Sequence, residues 1–132
     1  MLCLRRGWIV HATTRSPAKH EERMRSKLVP DGVPQENLKI FACDLLKGEE
    51  EFKEAFSGVD VVLHTASPFF IQGATEENVV RPAVEGTRAV LSAVKEAGIK
   101  RVVITSSTAA IYGWDGKHPA DHVMTEADWS DE

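Results

Sequence analysis

Residues 100–107 read KRVVITSS, and residues 59–67 read VDVVLHTAS. Both are continuously apolar through their middles and both end in a cluster of hydroxyls. A strand with one wet face would alternate. An unbroken apolar run of this length is expected of a strand covered on both faces, as in a parallel sheet. The stretch between them carries the clearest helical pattern in the chain. From about Glu76 to Ala97, the residues Val80, Ala83, Val84, Thr87, Leu91 and Val94 recur at 3.6-residue spacing, while Arg81, Glu85, Arg88 and Glu96 face away. Pro82 lies near the start, where a missing N–H does least harm, and Gly98 supplies the stop signal. Strand, helix and strand in this order predict a right-handed crossover between parallel neighbours.

The same rhythm extends towards the N-terminus. WIVHATT (8–14) and LKIFAC (38–43) are further strand candidates, each bounded by turn-forming residues. Residues 17–28 are polar with sparse apolar positions, which suits a helix on the sheet's rim. EEEFKEAFSG (49–58) predicts a short helix with Phe52 and Phe56 at i and i+4 and Gly58 as its stop. Strands alternating with helices make this an α/β chain with parallel strands. Residues 114–132, WDGKHPADHVMTEADWSDE, are polar and irregular and read as a loop over the strand ends.

The chain of 132 residues suits one domain or a piece of a larger one. Its net charge of −4 gives no reason to expect nucleic acid or an anionic membrane as partner. No apolar run approaches the length of a membrane span. Cys3 and Cys43 do not make a disulfide framework and, without a recognisable signal peptide, favour a reducing, cytoplasmic setting. His118 and His122 are four apart, a spacing that a metal site could use on a helix. Pro119 and its polar neighbours predict a loop instead, so no metal is expected. Nothing in the pattern sets an oligomeric state.

In parallel sheets ligands bind beyond the carboxyl ends of the strands. The informative residues therefore follow each apolar run: Thr13 to Pro17, Asp44 and Leu45, Thr65 to Pro68, and Ser106 to Thr108. These small and hydroxyl-bearing clusters suit a long polar ligand lying across the strand tips. In a dinucleotide-binding sheet an acidic residue closing the second strand holds the adenosine ribose, whereas an arginine there accommodates a 2′-phosphate. No Asp or Glu occurs from Trp8 to Lys19, and Arg15 stands at the expected place, which favours NADP over NAD. Spacing alone leaves Arg15 equally readable as a solvated loop arginine. Asp44 is open to two readings, an adenine contact or a cap on the following turn. His64 reads as a packed histidine with a satisfied ring nitrogen. Ser107, by spacing alone, reads more readily as a turn or cap residue than as a catalyst.

Taken together, RRGWIVHATTRSP, CDL, VDVVLHTASPF, VVRPAVEGTRAVL, IKRVVITSS and TEADWSD resemble the extended short-chain dehydrogenase/reductase family, within the NAD-dependent epimerase/dehydratase superfamily. The closer similarity is to the branch of dihydroflavonol reductases and cinnamoyl-CoA reductases. The resemblance covers nearly the whole chain. It implies a Rossmann-type, doubly wound parallel sheet and an NADPH cofactor. It also implies site roles. Arg15 matches the arginine on the adenosine 2′-phosphate, Asp44 and Leu45 the pair beside the adenine, and Thr65, Ala66 and Ser67 the segment along the ribose and pyrophosphate. Ser107 matches the catalytic serine that hydrogen-bonds a substrate carbonyl, with Thr108 as the fallback. Ala89 departs from the asparagine that many relatives carry, implying a local loss of helix-packing hydrogen bonds and no change of chemistry.

Two of the family's parts have no counterpart in these residues. Hydride transfer there needs a tyrosine as general acid with a lysine four residues on. The single tyrosine is Tyr112, and four residues on stands Gly116. A glycine-rich turn should place backbone N–H groups under the pyrophosphate, yet the first glycine is Gly7. The expectation is a partial NAD(P)-binding domain over residues 1–132, without the first strand and its phosphate loop and without most of the substrate region. In this strand order the first strand lies between the second and the fourth, so its absence should leave two edges unpaired. The reading is a fragment of an NADP-dependent reductase of ketones or aldehydes, inactive by itself. The alternatives are a nucleotide-sugar epimerase or dehydratase, which shares the sheet and the serine, and a non-catalytic truncated paralogue.

Overall fold

The crossover predicted between residues 59 and 107 is present. In a computed structural model, which describes residues 1–68, 73–111, 119 and 121–130, β3 (Val61–His64) and β4 (Arg101–Ile104) pair in parallel with Val61 opposite Arg101. They are joined by α4 (Arg81–Glu96). Upstream, β1 (Val10–Thr14) and β2 (Leu38–Ala42) pair in parallel with Val10 opposite Leu38, joined by α2 (Pro17–Leu28). A short α1 (Leu2–Arg5) precedes β1. The predicted helix over 49–58 begins as a 3₁₀ turn, Glu49–Phe52, and continues as α3 (Lys53–Phe56).

Among the described residues the strands form two separate pairs, β1–β2 and β3–β4. Each pair therefore has an unpaired edge on β1 and on β3, the two strands that should flank the family's first strand. The paired segments are shorter than the apolar runs at most ends. Trp8 and Ile9 lie outside β1 and are exposed, and residues 65–67 leave β3 as its tip.

Two clusters hold these pairs. Leu4, Val29 and Leu38 are buried with Val10, Ala12, Leu28, Val33 and Ile40 against them, so α1 and the end of α2 cover one face of β1–β2. Arg25 ties α2 down by donating to the carbonyls of Gln35 and Leu38 at 2.9 and 3.0 Å. The larger cluster joins Cys43, Phe52, Ala55, Phe56, Val62, Ala89, Val90, Ala93 and Val94, with Phe41 and Val102 against it. Its members come from both strand pairs, so α3 and α4 carry the two sheets on one shared core. His11 reinforces the join. Its Nδ1 bonds the Ala55 carbonyl at 2.7 Å while its ring packs on Phe41, centroids 4.9 Å apart.

Two expectations need correction. The buried stripe of α4 is Gly86, Ala89, Val90, Ala93 and Val94, whereas Val80, Val84 and Leu91 are exposed. A π turn over Glu76–Val80 precedes α4 and puts Val80 outside the regular helix. Within α4 itself Val84 and Leu91 lie on the side opposite the buried stripe. The helix instead turns its small residues inward. A Cβ built on Gly86 would lie 3.1 Å from the Leu45 Cβ, a close approach that the absent side chain permits. Ala89, the position noted for its missing asparagine, is simply buried in this stripe.

The second correction concerns β3 and β4, expected to be covered on both faces. Val62 and His64 are buried under α4, but Leu63 and Val103 on the opposite face are 57% and 52% exposed. None of the described residues covers that face, and the unbroken apolar run is satisfied on one side only.

His64 is packed as the sequence suggests, 8% exposed, with Nε2 3.4 Å from the Thr87 hydroxyl on α4. Burial pushes its pKa down. The unfolded chain therefore takes up this proton first, and the stability His64 contributes is present above the ordinary imidazole value and lost as pH falls through it. The thermal midpoint should drop as pH falls below about 6.5, the ordinary imidazole value, and His64→Gln should flatten that slope. A variant with the wild-type slope would place the titration elsewhere.

Candidate functional site

The ladder of β1–β2 runs one step past the strands, because the Cys43 N–H donates to the Thr14 carbonyl at 3.1 Å. Arg15 and Asp44 thus leave the sheet beside one another. Arg15 is exposed and forms no ion pair with any described residue. It directly precedes Ser16, the N-cap of α2, so it stands at the positive end of a helix dipole where anions are favoured. Thr14 turns its hydroxyl back to accept the Ser16 N–H at 3.5 Å.

Asp44 does cap the following turn, its Oδ1 accepting the Leu46 N–H at 3.1 Å. Its own N–H donates to Oε2 of Glu51 at 3.2 Å, a partner that spacing did not suggest. Leu45 packs on Gly86 and so joins this tip to the crossover helix of the other pair. Cys43, just before, is a free and buried thiol that donates to the Glu51 carbonyl at 3.1 Å. Burial first, then the Glu51 and Glu54 carboxylates, push its pKa up to about 11. It stays protonated and unreactive at neutral pH.

At the second pair the Thr105 N–H donates to the His64 carbonyl at 3.0 Å, which sets Thr65, Ala66 and Ser67 alongside Ser106 and Ser107. All five are exposed. Ser107 precedes a 3₁₀ turn, Thr108–Ala110, and its Oγ accepts the Ala109 N–H at 3.1 Å. A hydroxyl that accepts in this way keeps its own hydrogen to donate. The cap and the catalytic donor, set against each other by the sequence, are compatible in one side chain.

Residues 121–130 return to this tip. The Ser130 N–H and hydroxyl both donate to the Ala110 carbonyl, at 2.9 and 3.2 Å. Asp128 folds the segment, accepting from the Thr125 N–H at 2.7 Å, the Thr125 hydroxyl at 3.0 Å and His122 Nε2 at 3.0 Å. The Thr125 N–H and His122 hold its carboxyl below the ordinary range. Tyr112, Gly116 and His118 lie outside the described residues.

The structure thus brings Arg15 together with Asp44 and Leu45, and Thr65, Ala66 and Ser67 together with Ser107. Among the described residues no hydrogen bond joins one group to the other. They are linked through Leu45 on Gly86 and through the shared core. Sequence reasoning missed Glu51 and Gly86, which act through the tertiary fold.

Residues 18–127 match the sequence pattern of the 3-beta hydroxysteroid dehydrogenase/isomerase family. The chain is similar to dihydroflavonol 4-reductase of Gerbera hybrida, 35% identical over 99% of this chain and 35% of that protein. It is also similar to cinnamoyl-CoA reductase 1 of Petunia hybrida, 37% identical over 98% of this chain and 37% of that one. The chain therefore spans little more than a third of these curated relatives. In structure it resembles yeast methylglyoxal/isovaleraldehyde reductase Gre2, solved in complex with NADPH. The TM-score is 0.76 and the identity 26%, over 98% of this chain and 39% of that one. The Rossmann-type reading of the incomplete sheet agrees with this likeness.

Proposed function

Because the chain belongs to the 3-beta hydroxysteroid dehydrogenase/isomerase family, we propose that it forms part of the NAD(P)-binding domain of a cytoplasmic, NADPH-dependent carbonyl reductase. The observation that carries the reading is the pairing of strand tips, which sets Arg15 beside Asp44 and the exposed Ser107 beside Thr65 to Ser67. NADPH, when bound, supplies the hydride for an aldehyde or ketone carbon. Arg15 takes the adenosine 2′-phosphate with a guanidinium that no described residue pairs, whose charge-assisted bonds suit an anion with several acceptor oxygens. Asp44 and Leu45 flank the adenine, and Thr65, Ala66 and Ser67 follow the ribose and pyrophosphate. Ser107 points its hydroxyl hydrogen at the substrate carbonyl and so orients it.

The named relatives are reductases, which favours this chemistry over that of a nucleotide-sugar epimerase or dehydratase. A further part of the proposal is that these 132 residues bind cofactor without turning it over. Tyr112 has Gly116, not lysine, four positions on, so no tyrosine here has the partner that lowers its pKa for proton donation. Titrating the chain with NADPH should show saturable binding, and isovaleraldehyde should then cause no NADPH oxidation. Failure to bind would remove the proposal. Oxidation that disappears in Ser107→Ala would show that the tyrosine–lysine pair is dispensable.

A further inference from the structure

From the geometry at the tip of β2 we infer that Glu51 is a positioning residue for the adenosine half of the cofactor, holding the Asp44–Leu45 turn in its binding shape. The inference rests on the cofactor reading above and adds a residue to it.

The argument begins with the direction of backbone N–H groups. Along a strand these point alternately to opposite sides. At the end of β2 the Cys43 N–H points to β1 and donates to the Thr14 carbonyl at 3.1 Å. The next N–H, that of Asp44, points the other way, and among the described residues no strand is hydrogen-bonded to β2 on that side. Glu51 supplies the missing acceptor through Oε2 at 3.2 Å. The same residue accepts the Cys43 thiol through its backbone carbonyl at 3.1 Å. That thiol stays protonated at neutral pH, so the bond persists.

Glu51 thus grips two consecutive residues of the turn, one through its side chain and one through its main chain. Its own position is set by the next residue, since Phe52 is 3% exposed in the shared core with its ring 5.4 Å from that of Phe56. With its N–H held, Asp44 accepts the Leu46 N–H at Oδ1 and the Lys47 N–H at its carbonyl, 3.1 and 3.2 Å away. Leu45 is seated on Gly86. Glu51 acts by fixing where Asp44 and Leu45 stand.

The test uses the 132-residue chain, its Glu51→Ala and Glu51→Gln variants, and adenosine 2′,5′-bisphosphate as probe. In the labelled wild-type chain the Asp44 amide, held by Glu51 Oε2, should exchange with solvent more slowly than in Glu51→Ala. By calorimetry, Glu51→Ala should weaken the probe about tenfold, while Glu51→Gln, which keeps an acceptor oxygen, should restore most of that loss. If the wild type binds and Glu51→Ala binds equally well, the positioning role is wrong and the cofactor reading stands. Equal losses in both variants, or an Asp44 amide that exchanges equally fast in the wild type and Glu51→Ala, would also overturn it. If the wild type does not bind the probe, the cofactor reading fails and this inference with it.

Discussion

In a chimera carrying this chain in place of the matching part of the yeast reductase, Ser107→Ala is expected to lower kcat by ~10²-fold or more with little change in NADPH affinity. The yeast structure covers 98% of the chain at a TM-score of 0.76, so the graft meets a framework of its own kind. The serine hydroxyl accepts the Ala109 N–H at 3.1 Å, and in the proposed role it donates to a carbonyl oxygen whose negative charge grows as hydride arrives. A donor aimed at developing charge acts on the transition state more than on the ground state, so its loss appears in kcat. The cap bond predicts a smaller second effect. Alanine frees the Ala109 N–H at an exposed turn, so the thermal midpoint should fall only slightly, as for a lost cap of about 1 kcal/mol. A folded chimera whose kcat is unchanged by alanine would leave Ser107 as a cap and nothing more. Loss of NADPH binding with kcat unchanged would move the residue from the carbonyl to the cofactor.

The second large effect is expected at Arg15. In the isolated chain Arg15→Ala should weaken NADPH by about ten- to a hundredfold, the equivalent of losing a charged hydrogen bond of roughly 1.5–3 kcal/mol. NADH, which lacks the 2′-phosphate, should be little affected. Arg15 is exposed, so its contribution should shrink as salt screens it. The wild-type preference for NADPH should therefore narrow at high ionic strength, and the variant should show no such trend. Equal losses for both nucleotides would mean that the arginine does not read the phosphate.

The parts of the fold legible in the sequence were those set by local pattern. The strand cores of KRVVITSS and VDVVLHTAS follow from their apolar runs, and the end of α4 from Gly98, which adopts a φ of 69°. The buried face of α4 was not legible. A 3.6-residue period can be drawn through either side of α4, and size of side chain does not say which side packs. The larger side chains Val84 and Leu91 drew the stripe towards themselves, while the helix buried Gly86, Ala89 and Ala93 to come close to its neighbours.

The candidate site divides in the same way. Residues just past each apolar run could be identified because parallel strands deliver their tips to one end. Whether Asp44 caps or binds, and whether Ser107 caps or donates, could not be decided by spacing, since both roles use the same residue types. The structure shows each as a cap whose remaining hydrogen-bonding capacity is compatible with the second role. Glu51 lay beyond reach for a different reason. An acceptor for the Asp44 N–H could come from any residue that the tertiary fold carries there, and nothing in the spacing from 44 to 51 marks it.

The central claim is that one nucleotide spans both pairs of strand tips. Amide shift mapping of the labelled chain during titration with NADP⁺ tests it most directly. Residues 14–16, 44–46, 65–67 and 106–108 should shift together and saturate with a single dissociation constant. Shifts confined to other surfaces, or tips of the two strand pairs saturating at separate concentrations, would contradict it.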